Sequence, residues 1–298
     1  MKIGIDIGGS HIAVGLIDIY GKIVCKSEKD IDNSIGEEFF EKKLVDSIIK
    51  QIDDVLTKKK TDITKVSLIG IAVPGMVSET SIIKAENLHI KDFNITREIN
   101  KYYNVPIKLR NDAKCAALAE KEYGSLKRAD DSIFITIGTG IGGAVFLGGK
   151  LLVPKKYEGF EIGHMVIKKN GIKCNCGRYG CFEKYASMKA LKTVISKELK
   201  MENISGEKLK EILDKNNNEK VNEIVDEYIE YLSLGLANLI NIFEPQVISI
   251  GGSFVFYDVL LEKLKNKING EALFNKKNPP KIVLAKLKND AGIAGSVL

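Results

Sequence analysis

Four side chains that bind soft or borderline cations fall within eighteen residues: His164, Cys174, Cys176 and Cys181. Three thiolates and an imidazole supply the four donors that a tetrahedral structural zinc requires. Gly171, Gly177 and Gly180 lie among them and let the backbone turn tightly enough for the donors to converge. Glu161 and Glu183 flank the group, so an ion held there would brace a loop with a carboxylate at each end. A disulfide, or thiols that are merely buried, is the competing account of the same residues. Two of the five cysteines, Cys25 and Cys115, stand apart and read as free thiols of a reducing cytoplasm.

A second set of residues suits phosphate chemistry. Three strand-like runs end in glycine pairs: Asp6-Ile7-Gly8-Gly9-Ser10, Gly138-Thr139-Gly140-Ile141-Gly142-Gly143 and Gly251-Gly252-Ser253. Glycine lets a phosphate approach the main chain, whose N–H groups can line an anion site. Tight hairpins would use the same residues, but three such turns in one chain favour a shared nucleotide. Asp6 adds a carboxylate suited to magnesium, or to its bound waters, beside phosphates. Gly138–Gly143 also fits G-x-G-x-x-G, yet β-rich Ala144–Leu147 stands where a dinucleotide site needs a helix. The P-loop pattern is absent from the sequence.

Arg110-Asn111-Asp112-Ala113 follows a short strand and opens a helix. A carboxylate at Asp112 could take the proton of an attacking hydroxyl; Asn111 or Asp112 could equally be a plain helix cap. Asn87, Glu161, His164 and Glu183 are polar residues in loops, suited to binding several hydroxyls.

The elements that must position these groups alternate between strand and helix. Residues 3–7 and 12–19 read as a hairpin, 66–73 and 105–109 as strands, and 112–123 as a helix. Phe40, Leu44, Ile48, Ile52 and Val55 recur every three or four residues, which predicts an amphipathic helix over 36–58. Strand, glycine turn and strand then repeat at 132–147, a helix-rich region runs from 183 to 243, and strands follow at 247–250 and 281–284. Val221, Val225, Tyr228, Leu232, Leu236 and Leu239 mark one buried stripe. The pattern is α/β, twice over, with mixed sheets. It predicts a lobe over 1–114 and another over 115–287 carrying the cysteine motif, with a C-terminal helix near 288–298 packing back on the first.

At 298 residues, two lobes are the default expectation. The sequence has no apolar run of membrane-spanning length and no signal peptide, so a cytoplasmic protein with no membrane partner is expected. The formal charge of +6 comes from lysines interspersed with glutamates, as in ISKELKMEN, which reads as solvated helix faces rather than a nucleic-acid footprint.

Taken in order along the chain, these motifs resemble the ROK family of sugar kinases, within the two-lobed ribonuclease H-like (actin/hexokinase-like) fold. Asp6–Ser10 and Gly138–Gly143 resemble its phosphate motifs, Ala72-Val73-Pro74-Gly75 its sugar-cleft loop, and Asn111-Asp112-Ala113 its catalytic motif. Glu161-Ile162-Gly163-His164 with Cys174, Cys176, Cys181 and Glu183 resembles its sugar-binding and zinc signature, and Gly251-Gly252 its adenosine-side turn. The resemblance implies phosphorylation of a hexose by ATP, with glucose at its 6-hydroxyl the expected substrate and Asp112 the general base. It implies sugar contacts from Gly75, Asn87, Asn111, Asp112, Glu161, His164 and Glu183. ATP and Mg2+ would be met by Asp6, Gly8, Gly9, Ser10, Gly138, Thr139, Gly140, Gly142, Gly251 and Gly252. His164, Cys174, Cys176 and Cys181 would hold a structural Zn2+, and a homodimer is expected by analogy. N-acetylmannosamine, N-acetylglucosamine or fructose kinases of the family, or a non-catalytic sugar sensor, are the alternatives. Pro154, Lys156, Tyr157 and Phe160 are bulky where the family carries small residues, which bears on the choice of sugar. Family repressors carry an N-terminal helix-turn-helix, whereas this sequence starts at its first strand, so an enzyme is expected.

Overall fold

The computed structural model describes residues 1–9, 11–31, 37–154, 161–215, 217–271 and 279–298. Ser10 and, from the bulky segment, Lys156, Tyr157 and Phe160 lie outside the described residues. The chain divides into two compact units, the first built mainly from Met1–Gly124 and Asn289–Leu298, the second from Ser125–Leu152 and the stretch ending at Lys288.

The first unit runs β1 (Lys2–Ile7), β2 (His11–Ile17), β3 (Ile23–Asp30), α1 (Glu37–Lys58), β4 (Ile69–Val73), β5 (Met76–Val77), β6 (Ile82–Ala85), β7 (Ile90–Phe93), α2 (Ile95–Asn100), β8 (Ile107–Asn111) and α3 (Asp112–Glu122). Its main sheet has the order β3-β2-β1-β4-β8, and β5-β6-β7 form a small second sheet. Alternation along β1 sends Ile3, Ile5 and Ile7, all fully buried, into one core with Phe40, Leu44, Ile48 and Ile52 of α1. The opposite face carries glycine. Gly4 pairs with Gly15 on β2 and with Gly70 on β4, so three neighbouring strands present no side chain at one level.

The second unit runs β9 (Ser132–Ile137), β10 (Ile141–Leu147), β11 (Lys150–Leu151), α4 (Glu183–Ala186), α5 (Met188–Glu198), α6 (Gly206–Lys215), α7 (Glu219–Phe243), β12 (Val247–Gly251), α8 (Asp258–Glu271) and β13 (Lys281–Leu284). Its sheet order is β11-β10-β9-β12-β13, with β9, β12 and β13 parallel. The stripe from Val221 to Leu239 on α7 is buried against the isoleucines of β9, Leu191 and Ile195 of α5, and Leu260 and Leu264 of α8. Gly235 lets Phe182 lie flat on α7, since a Cβ there would stand 2.3 Å from the ring.

The last helix, α9 (Ala291–Ser296), belongs to the first unit and lies on its glycine face. A Cβ at Gly4 would meet the Ile293 carbonyl oxygen at 2.2 Å, and one at Gly70 the Ser296 carbonyl oxygen at 2.2 Å. On its other side Gly295 touches the Cys115 carbonyl of α3. That contact holds all of α3 in the first unit, whereas a boundary at 114 would have divided the helix.

The structure adds elements the sequence pattern does not announce: β3, which completes the sheet edge, and the three short strands β5–β7. β10 starts at Ile141, inside the expected glycine turn, because Ile141 pairs with Ile137 across a tight hairpin. No helix follows the glycines there, so the dinucleotide reading has no support in the fold.

Candidate functional site

In the first unit the three parallel strands β1, β4 and β8 end side by side, Asp6 beside Ala72 and Val73 beside Asn111. The carboxyl edge of parallel strands is where open α/β sheets bind ligands. Asp6, the Pro74-Gly75 turn and Asn111-Asp112 all lie at that edge.

Asn111 is the cap of α3. Its Oδ1 accepts from the Lys114 N–H at 3.3 Å and its Nδ2 donates to the Gly75 carbonyl at 3.1 Å. Asp112 is therefore the first helical residue rather than the cap, half-buried, with Oδ1 accepting from the Ala113 N–H at 2.7 Å. Gly75 holds φ +94° and a Cβ there would collide with the Lys84 carbonyl, so the turn that receives Asn111 requires glycine. Asn87 sits in a single 3-10 turn (Glu86–Leu88), and its Cβ lies 3.8 Å from where a Cβ on Gly9 would stand. Gly8, Gly9, Gly75, Asn87, Asn111, Asp112 and Asp6 are thus drawn together within this unit.

Burial, and next the charge of Asp112, push the Asp6 carboxyl up to about 7. Lys26 opposes the rise, and Glu28 adds to it. A divalent cation bound near both carboxylates would relieve their repulsion. An oxygen-only donor set suits Mg2+, which Asp6 would hold directly or through water.

In the second unit β9 and β12 end together, Thr136 paired with Gly251. The turn after β9 closes with the Gly138 N–H donating to the Gly140 carbonyl at 3.0 Å. Gly252, at φ +72°, would clash with the Ile137 carbonyl if it carried a Cβ, and a Cβ on Gly138 would stand 4.0 Å from the Ser253 hydroxyl. The two glycine turns are therefore neighbours, with Thr139, Gly140 and Gly142 on the first of them. The Lys189 N–H, in the first turn of α5, donates to the Gly138 carbonyl at 3.2 Å.

The metal-binding residues converge. Donor atoms of His164, Cys174, Cys176 and Cys181 all lie within 4.8 Å of one another. Cys176 and Cys181 Sγ are 3.6 Å apart, and Cys174 Sγ is 3.6 Å from His164 Nδ1. Zinc–sulfur bonds of about 2.3 Å at tetrahedral angles need ligand separations of just this order, roughly 3.8 Å. A disulfide would need about 2.05 Å, and the five cysteines are all unbridged. The donor set fits zinc.

The loop that presents them is held by its own main chain. The Cys174 N–H donates to the Arg178 carbonyl, the Gly177 N–H to the Cys174 carbonyl, and Arg178 reaches back to the His164 carbonyl at 2.9 Å. Gly180, at φ +81°, lies so close to the Lys168 carbonyl that no side chain fits. Burial pushes the Cys174 thiol up to about 12 and also raises Cys181, whereas the Arg178 N–H lowers Cys176.

Glu183 opens α4 and joins this cluster to the glycine turn. Its Oε1 lies 3.2 Å from Cys174 Sγ and 3.8 Å from His164 Nδ1, and its Oε2 lies 2.7 Å from where a Cβ on Gly140 would stand. Glu161 is exposed at the start of a 3-10 turn (Ile162–His164), its carbonyl accepting from the His164 N–H at 2.9 Å. The sequence reading did not single out Lys189, Lys192 and Lys197. All three line one cavity, with Thr193, Ser196 and Glu202.

A two-unit α/β protein with mixed sheets, glycine turns at parallel strand ends, an Asn-Asp cap and a His/Cys3 cluster is the architecture of ROK hexokinase-like proteins. The ROK family profile matches residues 2–298, and the chain belongs to that family. It is 30% identical to the xylose repressor of Caldicellulosiruptor bescii, covering 99% of this chain and 76% of the repressor. It is 29% identical to the glucokinase of Thermotoga maritima, covering 99% of this chain and 95% of the enzyme. Among solved structures it resembles a ROK family glucokinase from Streptomyces griseus in complex with glucose and AMPPNP. That match has a TM-score of 0.84 at 25% identity and covers 99% of this chain and 97% of that one. Among the described residues no helix is long and apolar enough to cross a membrane.

Proposed function

We propose that the protein is an ATP-dependent hexose kinase of the glucokinase type, transferring phosphate to the sugar 6-hydroxyl. The observation that carries this reading is the place of Asp112: one residue past the cap of α3, at the carboxyl edge of parallel strands, beside Asp6 and the Gly75 turn. A carboxylate there takes the hydroxyl proton as the oxygen attacks phosphorus. Asn111, locked by Gly75, and Asn87 orient the sugar, and the Gly8-Gly9 main chain offers N–H groups to phosphate.

Mg2+, held near Asp6, would neutralise phosphate charge. On the second unit Glu161, His164 and Glu183 are assigned to ring hydroxyls, and the glycine turns Gly138–Gly142 and Gly251-Gly252 to the nucleotide. Four protein ligands leave zinc no open position, so its contribution is to fix His164 and Glu183 rather than to activate water. A homodimer in the cytoplasm completes the proposal, and light scattering checks its stoichiometry.

The test is a coupled ADP-release assay over glucose, mannose, fructose, N-acetylglucosamine and N-acetylmannosamine. Turnover should be highest with glucose, and Asp112→Asn should lower it by roughly 10²–10⁴-fold while sugar binding persists. Near-wild-type turnover in the variant would remove Asp112 from the role. The repressor relatives support a second reading, a sugar sensor without turnover. Sugar binding by calorimetry with no ADP release across the panel would establish that reading instead.

A further inference from the structure

The three thiols of the His/Cys3 cluster differ in their access to solvent. Cys174 is 2% exposed and Cys181 fully buried, whereas Cys176 is exposed. The tip that carries Cys176 borders open space: a Cβ on Gly177, at φ +88°, would meet nothing within 4 Å. Cys174 Sγ lies instead against Glu183 Oε1 at 3.2 Å and His164 Nδ1 at 3.6 Å. Cys176 Sγ is 3.6 Å from Cys181 Sγ. Cys181 is held in place by its bridge to Val166 and by the tight fit of Gly180 on the Lys168 carbonyl. One sulfur of this pair is therefore accessible and the other buried beside it. The remaining cysteines stand apart in the first unit, Cys25 on β3 and Cys115, fully buried, on α3.

An accessible thiol next to a second thiol is the arrangement in which one sulfur meets an oxidant and the other resolves the product. We infer that Cys176 is a peroxide-sensitive oxidation site with Cys181 as its resolving partner, and that the disulfide they form releases the metal. Zinc, when bound, keeps the cysteines as thiolates, the form that attacks peroxides. In the first step the Cys176 thiolate attacks one oxygen of hydrogen peroxide. An S–O bond forms, the O–O bond breaks and hydroxide leaves. In the second step the Cys181 thiolate attacks the Cys176 sulfenic sulfur, so that an S–S bond forms, the S–O bond breaks and a second hydroxide leaves. The two sulfurs together lose two electrons, and the peroxide gains them.

The geometry favours this pair. Closing from 3.6 Å to a disulfide takes a shift of about 1.5 Å, and Cys176, at the open tip, has room for it. An exposed disulfide of this kind is the labile sort that small thiols reduce again. Oxidation withdraws two of four donors and leaves His164 and Cys174, too few for a closed structural zinc site. Glu183, in contact with Cys174 and beside the Gly140 turn, would lose its brace at the same time. The inference goes beyond the kinase reading and does not need it.

The test follows thiols and metal rather than turnover. The whole protein, reduced and loaded with zinc, is treated with stoichiometric hydrogen peroxide. The remaining thiols are then alkylated and the peptides mapped by mass spectrometry. The first product should be the Cys176–Cys181 disulfide, with Cys25 and Cys115 still alkylated. Zinc should enter solution in step with it, read by a chromogenic chelator, and dithiothreitol with added zinc should reverse both changes. Cys25→Ser/Cys115→Ser should respond as wild type does. Cys181→Ser should stop at a sulfenic acid on Cys176, trapped by dimedone, and if that variant fails to fold the wild-type map still decides.

Five alkylated cysteines after peroxide, a first disulfide between any other pair, or no zinc set free overturns the inference. Disulfide formation and zinc release without sugar phosphorylation in the coupled assay would count against the kinase reading and leave the oxidation site standing.

Discussion

At the scale of single residues, the most consequential side chain is Asp6. Its carboxyl is raised from the ordinary 3.8 to about 7, first by burial and then by the charge of Asp112. The folded state therefore binds this proton more tightly than the unfolded chain does. Stability is highest below pH 4 as far as this group is concerned, and it declines as pH rises toward 7. The loss at and above neutrality amounts to about 4 kcal/mol at most. Asp6→Asn removes it. Melting curves in chelator should show a variant no more stable than wild type near pH 4 and several degrees more stable at pH 8. Equal stabilisation at both values would show that Asp6 does not titrate as described. A residue that lowers stability at working pH is retained for chemistry, in keeping with a cation-binding role. Its position could be read in the sequence, from a strand running into two glycines. Its electrostatic state could not, because that depends first on burial and then on Asp112, which is brought near by the pairing of β1, β4 and β8. The cap shows the same division: Asn111-Asp112 was visible as a helix start, but which of the two capped it was decided by the Gly75 carbonyl.

Among the elements, the loop from His164 to Cys181 has the most to gain from a bound ion. It has two isolated β-bridges, Val166 with Cys181 and Lys173 with Tyr179, and little apolar core of its own. The ion would supply most of its cross-linking. Cys176→Ser should lower zinc affinity by more than the roughly 10–100-fold that losing an outer-shell partner costs. Because Glu183 and His164 touch the same cluster, sugar affinity should fall with it. Zinc content by elemental analysis, read beside sugar calorimetry, checks both, and unchanged zinc would refute the ligand assignment. Asn111→Ala should remove a helix cap and the tie to Gly75, at about 1 kcal/mol in urea denaturation. The convergence of His164, Cys174, Cys176 and Cys181 was legible because those residues are compressed into one short run. β3 was not, because Ile23–Asp30 mixes charges with half-buried positions as edge strands do. The strands β5–β7 were too short for any period to show.

For the molecule as a whole, the sequence announced two α/β halves through its repeated strand, turn and strand. The order of strands and the glycine hollow that α9 fills are tertiary facts with no local signal. Ile293 of α9 is fully buried on the glycine face, so Ile293→Ala should cost the first unit about 2–5 kcal/mol in urea denaturation. Zinc content, a property of the second unit, should not change. A loss below 1 kcal/mol would mean that α9 contributes little to the sheet it covers.

The seating of α9 on Gly4, Gly15 and Gly70 also bears on how the protein is made. The ribosome delivers β1, β2 and β4 early, yet the backbone that fills their glycine hollow is translated only after the entire second unit. At usual elongation rates that delay is on the order of ten seconds. During it the nascent chain leaves uncovered a sheet face that carries no side chain at the level of Gly4, Gly15 and Gly70, and the apolar Ala13 and Ile17 beside it, until the closing helix emerges.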